Sequence, residues 1–449
     1  MASKSSGSVS RRTLLKGGAI VAVAGGAAAY LGTRGGAPAL HTGAQAGRRV
    51  LAYIKYRSEL PSVEEVVMRE IGGRDVVIRV EACQACYSSV TASLVPGYHA
   101  GLGVGQPVPA PTRATIQGHG CVGIVEAIGP QVQKVQVGDR VVTCQQAQCG
   151  ACYVCLRKRG DQCINDQRFT FADFNGMEVV GSLGGGGMAE VTVVPEEHAV
   201  PVFTDLPAAQ LSNISCVGSC GMGAASTMSP VEMASDVVVL GAGAVGMTAI
   251  QTARIRGASQ IIAVEPIRYR RELALKLGAT AVLDPNAEGD GLVQKIKDMC
   301  TSKIAKTDRR FAGGGYVGPD YVIEAVGGDR MKPKTEAGPD PTGVLPLQQG
   351  WDLCSSVGTY VTTSIGQPWD AHVQFPAANW SDGAKHHIPG SMAGFNSRRD
   401  IPRFVRLIET GQFDMKALAP KEFSLNRTKD AFQLAADRTS MVAAVLPNG

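Results

Sequence analysis

At 449 residues the chain holds more than one ordinary core supports, so two domains with appendages are expected. Hydrophobic residues make up 44% and charged residues 18%, a globular balance, and the 55 glycines follow no period, which excludes collagen-like and solenoid architectures. The formal charge of +5 lies in the leader: residues 1–46 carry Lys4, Arg11, Arg12, Lys16 and Arg34 and no acid, which leaves 39 basic against 39 acidic residues and no electrostatic case for a nucleic-acid partner.

Ser10-Arg11-Arg12-Thr13-Leu14-Leu15-Lys16 precedes an uncharged, small-residue run from Gly17 to Gly32, the basic and apolar regions of a signal peptide with paired arginines at their junction. The pattern resembles a twin-arginine export signal, which implies a leader over residues 1–46, contact with the export machinery, and a periplasmic or cell-envelope location. Ala44-Gln45-Ala46 or Ala37-Pro38-Ala39 offers the small-x-small cleavage site. The run is shorter and richer in Gly and Ala than a membrane span of about 20 apolar residues, although an uncut leader would serve as an anchor.

Past the leader, Val50–Tyr56 and Val76–Val80 read as strands, and the second leads to Cys83-Gln84-Ala85-Cys86-Tyr87-Ser88-Ser89. Residues 92–113, rich in Pro and Gly, read as an irregular loop in which His99 is a solvated histidine. Gly118-His119-Gly120 opens the alternating run Val122, Ile124 and Ile128, and Gly138-Asp139-Arg140-Val141 reads as a turn. Cys149, Cys152, Cys155 and Cys163 follow, three, three and eight residues apart. That spacing suits a closed tetrahedral zinc site with a structural role, the alternative being two disulfides or unrelated thiols. Gly184 to Gly187 read as a backbone turn before a strand at Ala189–Val194. Cys216 precedes the small-residue segment Gly221–Ala225; with Cys86 and His119 it makes two thiolates and an imidazole, three ligands that leave open the fourth position a catalytic zinc needs.

The second half changes period. Asp236–Leu240 is a continuous apolar run suited to a buried parallel strand, followed directly by Gly241-Ala242-Gly243-Ala244-Val245-Gly246, a helical segment Val245–Arg256, and a strand Gln260–Val264 ending at Glu265. Strand, glycine fingerprint, helix, strand and acid stand in the order of a dinucleotide site, with the pyrophosphate at the helix N-terminus and Glu265 on the ribose hydroxyls. An acid there favours NAD over NADP, with Arg268 and Arg270 nearby as a counterweight. Further strands at Ala281–Leu283, Asp320–Ala325 and Thr359–Ile365 alternate with helices such as Arg270–Leu277, which makes an α/β, doubly wound parallel sheet. The Pro/Gly/Asp-rich stretch Arg330–Leu345 reads as a surface loop. A helix at Ile401–Thr410 and a final strand at Val442–Leu446 close the chain.

Cys86 after a strand, Gly118-His119, Gly138-Asp139-Arg140-Val141, the four-cysteine lobe, Cys216 and the fingerprint, in this order over about residues 48–449, resemble the zinc-dependent alcohol dehydrogenases of the medium-chain dehydrogenase/reductase superfamily. The resemblance implies a β-rich GroES-like catalytic domain over 48–216, a Rossmann domain over 217–389 that binds the nicotinamide cofactor, and a return of 390–449 to the catalytic domain. It implies Cys86, His119 and Cys216 on a catalytic zinc, Cys149, Cys152, Cys155 and Cys163 on a structural zinc, and Ser88 as the hydroxyl that takes the substrate proton. Gly241, Gly243, Gly246 and Glu265 are the implied cofactor contacts, and Cys220 lies near the expected nicotinamide pocket. It also implies an alcohol or carbonyl substrate and a homodimer or homotetramer. Several positions depart from the family: Gly120 and Ser89 replace acids, Thr91 replaces the histidine that ends the proton relay, and Tyr87 and Ala443 replace basic residues that contact the pyrophosphate. Cys83, Cys121, Cys144, Cys300 and Cys354 read as small apolar fillers.

Scarce NAD outside the cytoplasm, joined to a signal that exports folded proteins, points to a nicotinamide carried as a bound group and reoxidised in place by a second substrate or an electron acceptor; the alternative is a basic, Ala-rich leader without an export role and ordinary exchange of soluble NAD in the cytoplasm, which the missing bases at Tyr87 and Ala443 favour. A dehydrogenase for a polyol, a hydroxy-steroid or an aldehyde hydrate fits the same ligands. A non-catalytic zinc-stabilised sensor of ligand or redox state is the alternative outside enzymes.

Overall fold

Pairing of strands far apart in the sequence builds the first half of the molecule. A computed structural model describes residues 45–56, 59–97, 112–164, 170–300, 317–375, 384–390, 394–418 and 421–449. The twin-arginine leader, His99 and most of the loop at 92–113 lie outside the described residues. Arg49–Lys55, Ser62–Met68, Thr170–Phe174, Met177–Gly181 and Ala114–Ile116 close into a small barrel, filled by Val50, Ala52, Ile54, Val66, Met68, Ile116 and Phe171. Ser62–Met68 escapes the apolar alternation because Glu64 and Glu65 interrupt it. In the barrel Glu65 is exposed and pairs with Arg49 across the two strands.

The strand Asp75–Gln84 is the hub of the second sheet. It pairs with Cys121–Ile128 on one side, with Val191–Pro195 along its first half, and with the last strand, Ala443–Leu446, at its end. It runs four residues beyond the alternating stretch, because the small side chains of Ala82 and Cys83 are fully buried there. Ala444 lies opposite Gln84 and Val445 opposite Cys83, so the end of the chain is sewn beside the segment that leads to Cys86.

The third sheet is parallel and six-stranded, in the order Ala281–Leu283, Gln260–Val264, Asp236–Leu240, Tyr321–Glu324, Thr359–Thr362, His386–Pro389. Its central strand is buried on both faces, which is why it reads as an unbroken apolar run. Val237 and Val239 join the core that holds Met247, Ala249 and Ile250 of the helix Ala244–Ile255. Val238 and Leu240 join the opposite core with Leu292, Ile296 and Trp351. Helices on both faces of a parallel sheet make the doubly wound architecture read from the sequence. The helix Val217–Gly223, which starts directly after Cys216, links the two halves: Thr248 Oγ1 donates to the Val217 carbonyl at 3.1 Å. Among the described residues no helix is long and apolar enough to cross a membrane.

Candidate active site and metal centres

Cys86 lies just beyond the hub strand, His119 in the turn before Cys121–Ile128, and Cys216 at the head of the helix Val217–Gly223. Their ligand atoms all lie within 4.8 Å of one another. Ser88 Oγ sits 3.3 Å from Cys86 Sγ and 3.5 Å from His119 Nε2. On the other side of the ring, Ser89 Oγ is 3.3 Å from His119 Nδ1. A hydrogen bond from Nδ1–H to Ser89 leaves the Nε2 lone pair facing the thiols, the tautomer a metal ligand needs. Ser89 thus takes over the orienting task of the acid it replaces and leaves out the charge.

Gly120 has an equally local cause. Its φ is +74°, and a β-carbon there would lie 2.5 Å from both Cβ and Oγ of Ser215. No acidic side chain fits after His119, since Ser215 occupies its space.

The thiols respond to one another. A hydrogen bond from Cys216 is the foremost cause that pulls the Cys86 thiol well below its ordinary pKa. Cys216 is pushed well up, first by its hydrogen bond to Cys220 and then by that to Cys86. Cys220 is therefore a neighbour of the triad; with Cys216, Gln145 and Phe395 it lines a cavity of ≈ 10 Å³, about the room one water needs. The remaining inner cysteines match the filler reading: burial pushes Cys121 to about 12 and Cys144 to about 11, so both stay protonated and inert.

The second cluster is the lobe at 149–163. The Sγ atoms of Cys149, Cys152, Cys155 and Cys163 lie within 4.8 Å of one another, and Cys152 and Cys163 are 3.9 Å apart. Zinc–sulfur bonds of about 2.3 Å arranged tetrahedrally set sulfurs about 3.8 Å apart. Backbone N–H groups of Ala151 and Cys152 donate to Cys149 Sγ at 3.4 and 3.3 Å, support suited to a thiolate. All twelve cysteines are free of disulfides, so the donor sets of both clusters are of the kind that holds zinc.

At the fingerprint, Gly246 is required by contact: a β-carbon would lie 1.8 Å from the Gly241 carbonyl oxygen, so the helix packs onto the loop only without one. Glu265, 3% exposed, accepts hydrogen bonds from Ala242 N at 2.8 Å and Ile267 N at 3.1 Å. Arg268 turns away to Glu272 on the surface, at 3.0 Å. Arg270 turns inward: its Nη1 is 4.0 Å from the Glu265 carboxylate and 3.8 Å from where a β-carbon of Gly243 would stand.

Two family models match the chain: "Alcohol dehydrogenase GroES-like domain" over residues 72–204 and "Zinc-binding dehydrogenase" over residues 244–337. The chain belongs to the zinc-type medium-chain dehydrogenases. As a member of that family it is an oxidoreductase enzyme that takes zinc and a nicotinamide cofactor. Alcohol dehydrogenase-like 3 of Arabidopsis thaliana is 28% identical, over 73% of this chain and 80% of that protein. The NDMA-dependent alcohol dehydrogenase of Amycolatopsis methanolica is 25% identical, over 83% of this chain and 91% of the relative. Benzyl alcohol dehydrogenase from Acinetobacter calcoaceticus superposes with a TM-score of 0.72 at 25% identity, covering 89% of this chain and 99% of its own.

Sequence reasoning missed two features of the site. The stretch Arg330–Leu345 is not merely a surface loop: backbone N–H groups of Arg330 and Met331 donate to the Tyr87 hydroxyl, at 2.9 and 3.4 Å. Arg438, which no motif marks, donates to the same oxygen at 2.8 Å.

Gly120 is open to a direct check. Gly120→Ala places a β-carbon on Ser215 in a left-handed backbone and is expected to destabilise the fold by about 1–3 kcal/mol. Adding Ser215→Gly is expected to restore part of the loss, read as the midpoint of urea unfolding.

Proposed function

We propose that the protein is a zinc-dependent alcohol dehydrogenase with one catalytic and one structural zinc ion, a preference for NAD, and a nicotinamide retained as a bound group outside the cytoplasm. The observation that carries the reading is the convergence of Cys86, His119 and Cys216 with the Ser88 hydroxyl 3.5 Å from His119 Nε2. When bound, zinc supplies a Lewis acid for the substrate oxygen and the nicotinamide supplies the hydride acceptor. The chain's own residues handle position and proton. His119 is oriented through Ser89, and Cys86 and Cys216 would bring two thiolate charges to a bound metal, to which Ser89 and Gly120 add none. A less neutralised metal makes a substrate hydroxyl at this site more acidic.

Ser88 Oγ stands where it accepts that proton. Beyond it, Thr91 is 6% exposed and its hydroxyl has no partner among the described residues. Thr91 offers no side-chain base, and its buried hydroxyl is joined to Ser88 by no hydrogen bond among the described residues. The sensor alternative draws no support from relatives that are themselves named as dehydrogenases.

The cofactor preference rests on Glu265. Its carboxylate stands beside the fingerprint loop, where it suits ribose hydroxyls and opposes a 2′-phosphate, while the Arg270 guanidinium, 4.0 Å away, softens that bias. Retention of the nicotinamide and work outside the cytoplasm rest on the paired arginines of the leader and on the scarcity of free NAD beyond the membrane.

Metal analysis and two variants test the zinc assignment. The purified protein is expected to hold two zinc ions per chain. Cys152→Ser should lower the melting temperature, because a structural zinc contributes folding free energy, whereas His119→Ala should melt near the parent and fail to turn over an alcohol. Parent-level turnover by His119→Ala removes that residue from the metal.

Glu265→Ala is expected to weaken NAD binding about tenfold, the factor set by losing a ribose hydrogen bond to a charged group, and to narrow the gap to NADP. Equal dissociation constants for NAD and NADP in the parent contradict the ribose argument.

The bound-cofactor reading is tested on protein taken from the cell envelope. Desalted and then denatured, it should release close to one nicotinamide per chain. An empty protein, or one confined to the cytoplasm, ends that reading.

A further inference from the structure

Tyr87 follows a metal ligand, replaces a basic residue of the family, and carries a hydroxyl with three donors on it: Arg330 N at 2.9 Å, Met331 N at 3.4 Å and Arg438 Nη2 at 2.8 Å. The Arg438 guanidinium also pairs with Asp329, and both side chains are nearly buried, at 15% and 16% exposure. It lies over the Tyr87 ring, 4.8 Å from the centroid. Arg438 holds this place in a left-handed backbone, φ 57°, which a side chain disfavours. The guanidinium is thus spoken for on two sides and is not a free phosphate ligand.

Three pieces of chain meet here. Tyr87 belongs to the first half, Arg438 closes the helix Thr428–Asp437 beside the last strand, and Asp329–Met331 belong to the cofactor half. The turn leading to Asp329 is set by Glu324, at the carboxyl end of its parallel strand, which accepts from Val326 N at 2.7 Å and Gly327 N at 3.3 Å. That edge of a doubly wound sheet is where its ligands bind. From Arg438 the contacts continue across the groove. The Arg438 carbonyl accepts from the Tyr269 hydroxyl at 2.9 Å, that hydroxyl accepts from Arg270 Nε at 3.1 Å, and Arg270 reaches Glu265. One connected network therefore runs from the residue beside Cys86 to the acid at the ribose end, the span a dinucleotide occupies between metal and fingerprint.

We propose that Tyr87, Arg438 and Asp329 form a latch that holds the cofactor half against the catalytic half across the dinucleotide groove and sets the rate at which nicotinamide leaves. The latch gives the bound-nicotinamide reading its physical means, and rests on it. Release requires the groove to open, and opening breaks the Asp329–Arg438 ion pair together with the two hydrogen bonds that Arg330 N and Met331 N donate to the Tyr87 hydroxyl. In this role the three are positioning residues that touch neither substrate nor reacting atoms.

The test uses full-length protein loaded with NADH, with release followed as loss of bound-NADH fluorescence after mixing with excess NAD. Tyr87→Phe keeps the ring and removes the oxygen. Arg438→Gly removes the guanidinium and places at φ 57° the residue that favours it, so the fold is expected to survive. Each variant should release NADH about tenfold faster, the factor set by one such hydrogen bond, with zinc content equal to the parent. Lys334→Ala, which breaks only the Lys334–Asp437 pair at 2.7 Å in the same stretch, should release at the parental rate. Release within about twofold of the parent in both latch variants overturns the proposal, as does an equal acceleration by Lys334→Ala. Should Tyr87→Phe fold poorly, Arg438→Gly decides. A parent isolated empty defeats the bound-nicotinamide reading, while the release rates of added NADH still judge the latch.

Discussion

The site depends on bringing ligand atoms from residues 86, 119 and 216 within 4.8 Å of one another. No local propensity does this. Cys86 and His119 are neighbours because Asp75–Gln84 pairs with Cys121–Ile128, a register that sets Cys83 opposite Cys121. Cys216 arrives from the far side, at the head of a helix that packs on the fingerprint helix. The same helix therefore places the metal ligands and the dinucleotide loop relative to each other, and that spacing is what hydride transfer requires.

Around the triad, neutral and small groups stand where the family carries charge. Ser89 orients His119 through a hydrogen bond without adding a negative charge, and Gly120 is small because Ser215 fills the space beside it. The two departures share a consequence. Neither departure places a negative charge beside Cys86, His119 and Cys216.

The cofactor half shows a similar replacement. Positions 87 and 443 carry no base, yet the groove is not short of cations: Arg270 lies at Glu265, and Arg438 lies at Tyr87 and Asp329. Both are already paired within the protein. Positive charge that the family offers to the pyrophosphate is here turned inward, to hold segments of the chain to each other.

Much of this was legible in the residues. The doubly wound sheet could be read because its strands, buried on both faces, are unbroken apolar runs, and the fingerprint could be read because Gly246 meets a carbonyl of its own loop, a constraint confined to a few consecutive residues. The four cysteines at 149–163 close on themselves for the same reason. Other features were invisible because their causes lie far along the chain. Ser62–Met68 is a strand only once Glu65 faces outward against Arg49. Gly120 is explained by Ser215, ninety-five residues later. Arg438 and Asp329 acquire a role only when the last helix and the loop after Glu324 meet over Tyr87. Local patterns determined the elements and the two sets of metal donors; tertiary structure alone decided which distant side chains orient, crowd and lock them, because those contacts depend on the packing of whole segments and leave no periodic trace in the sequence.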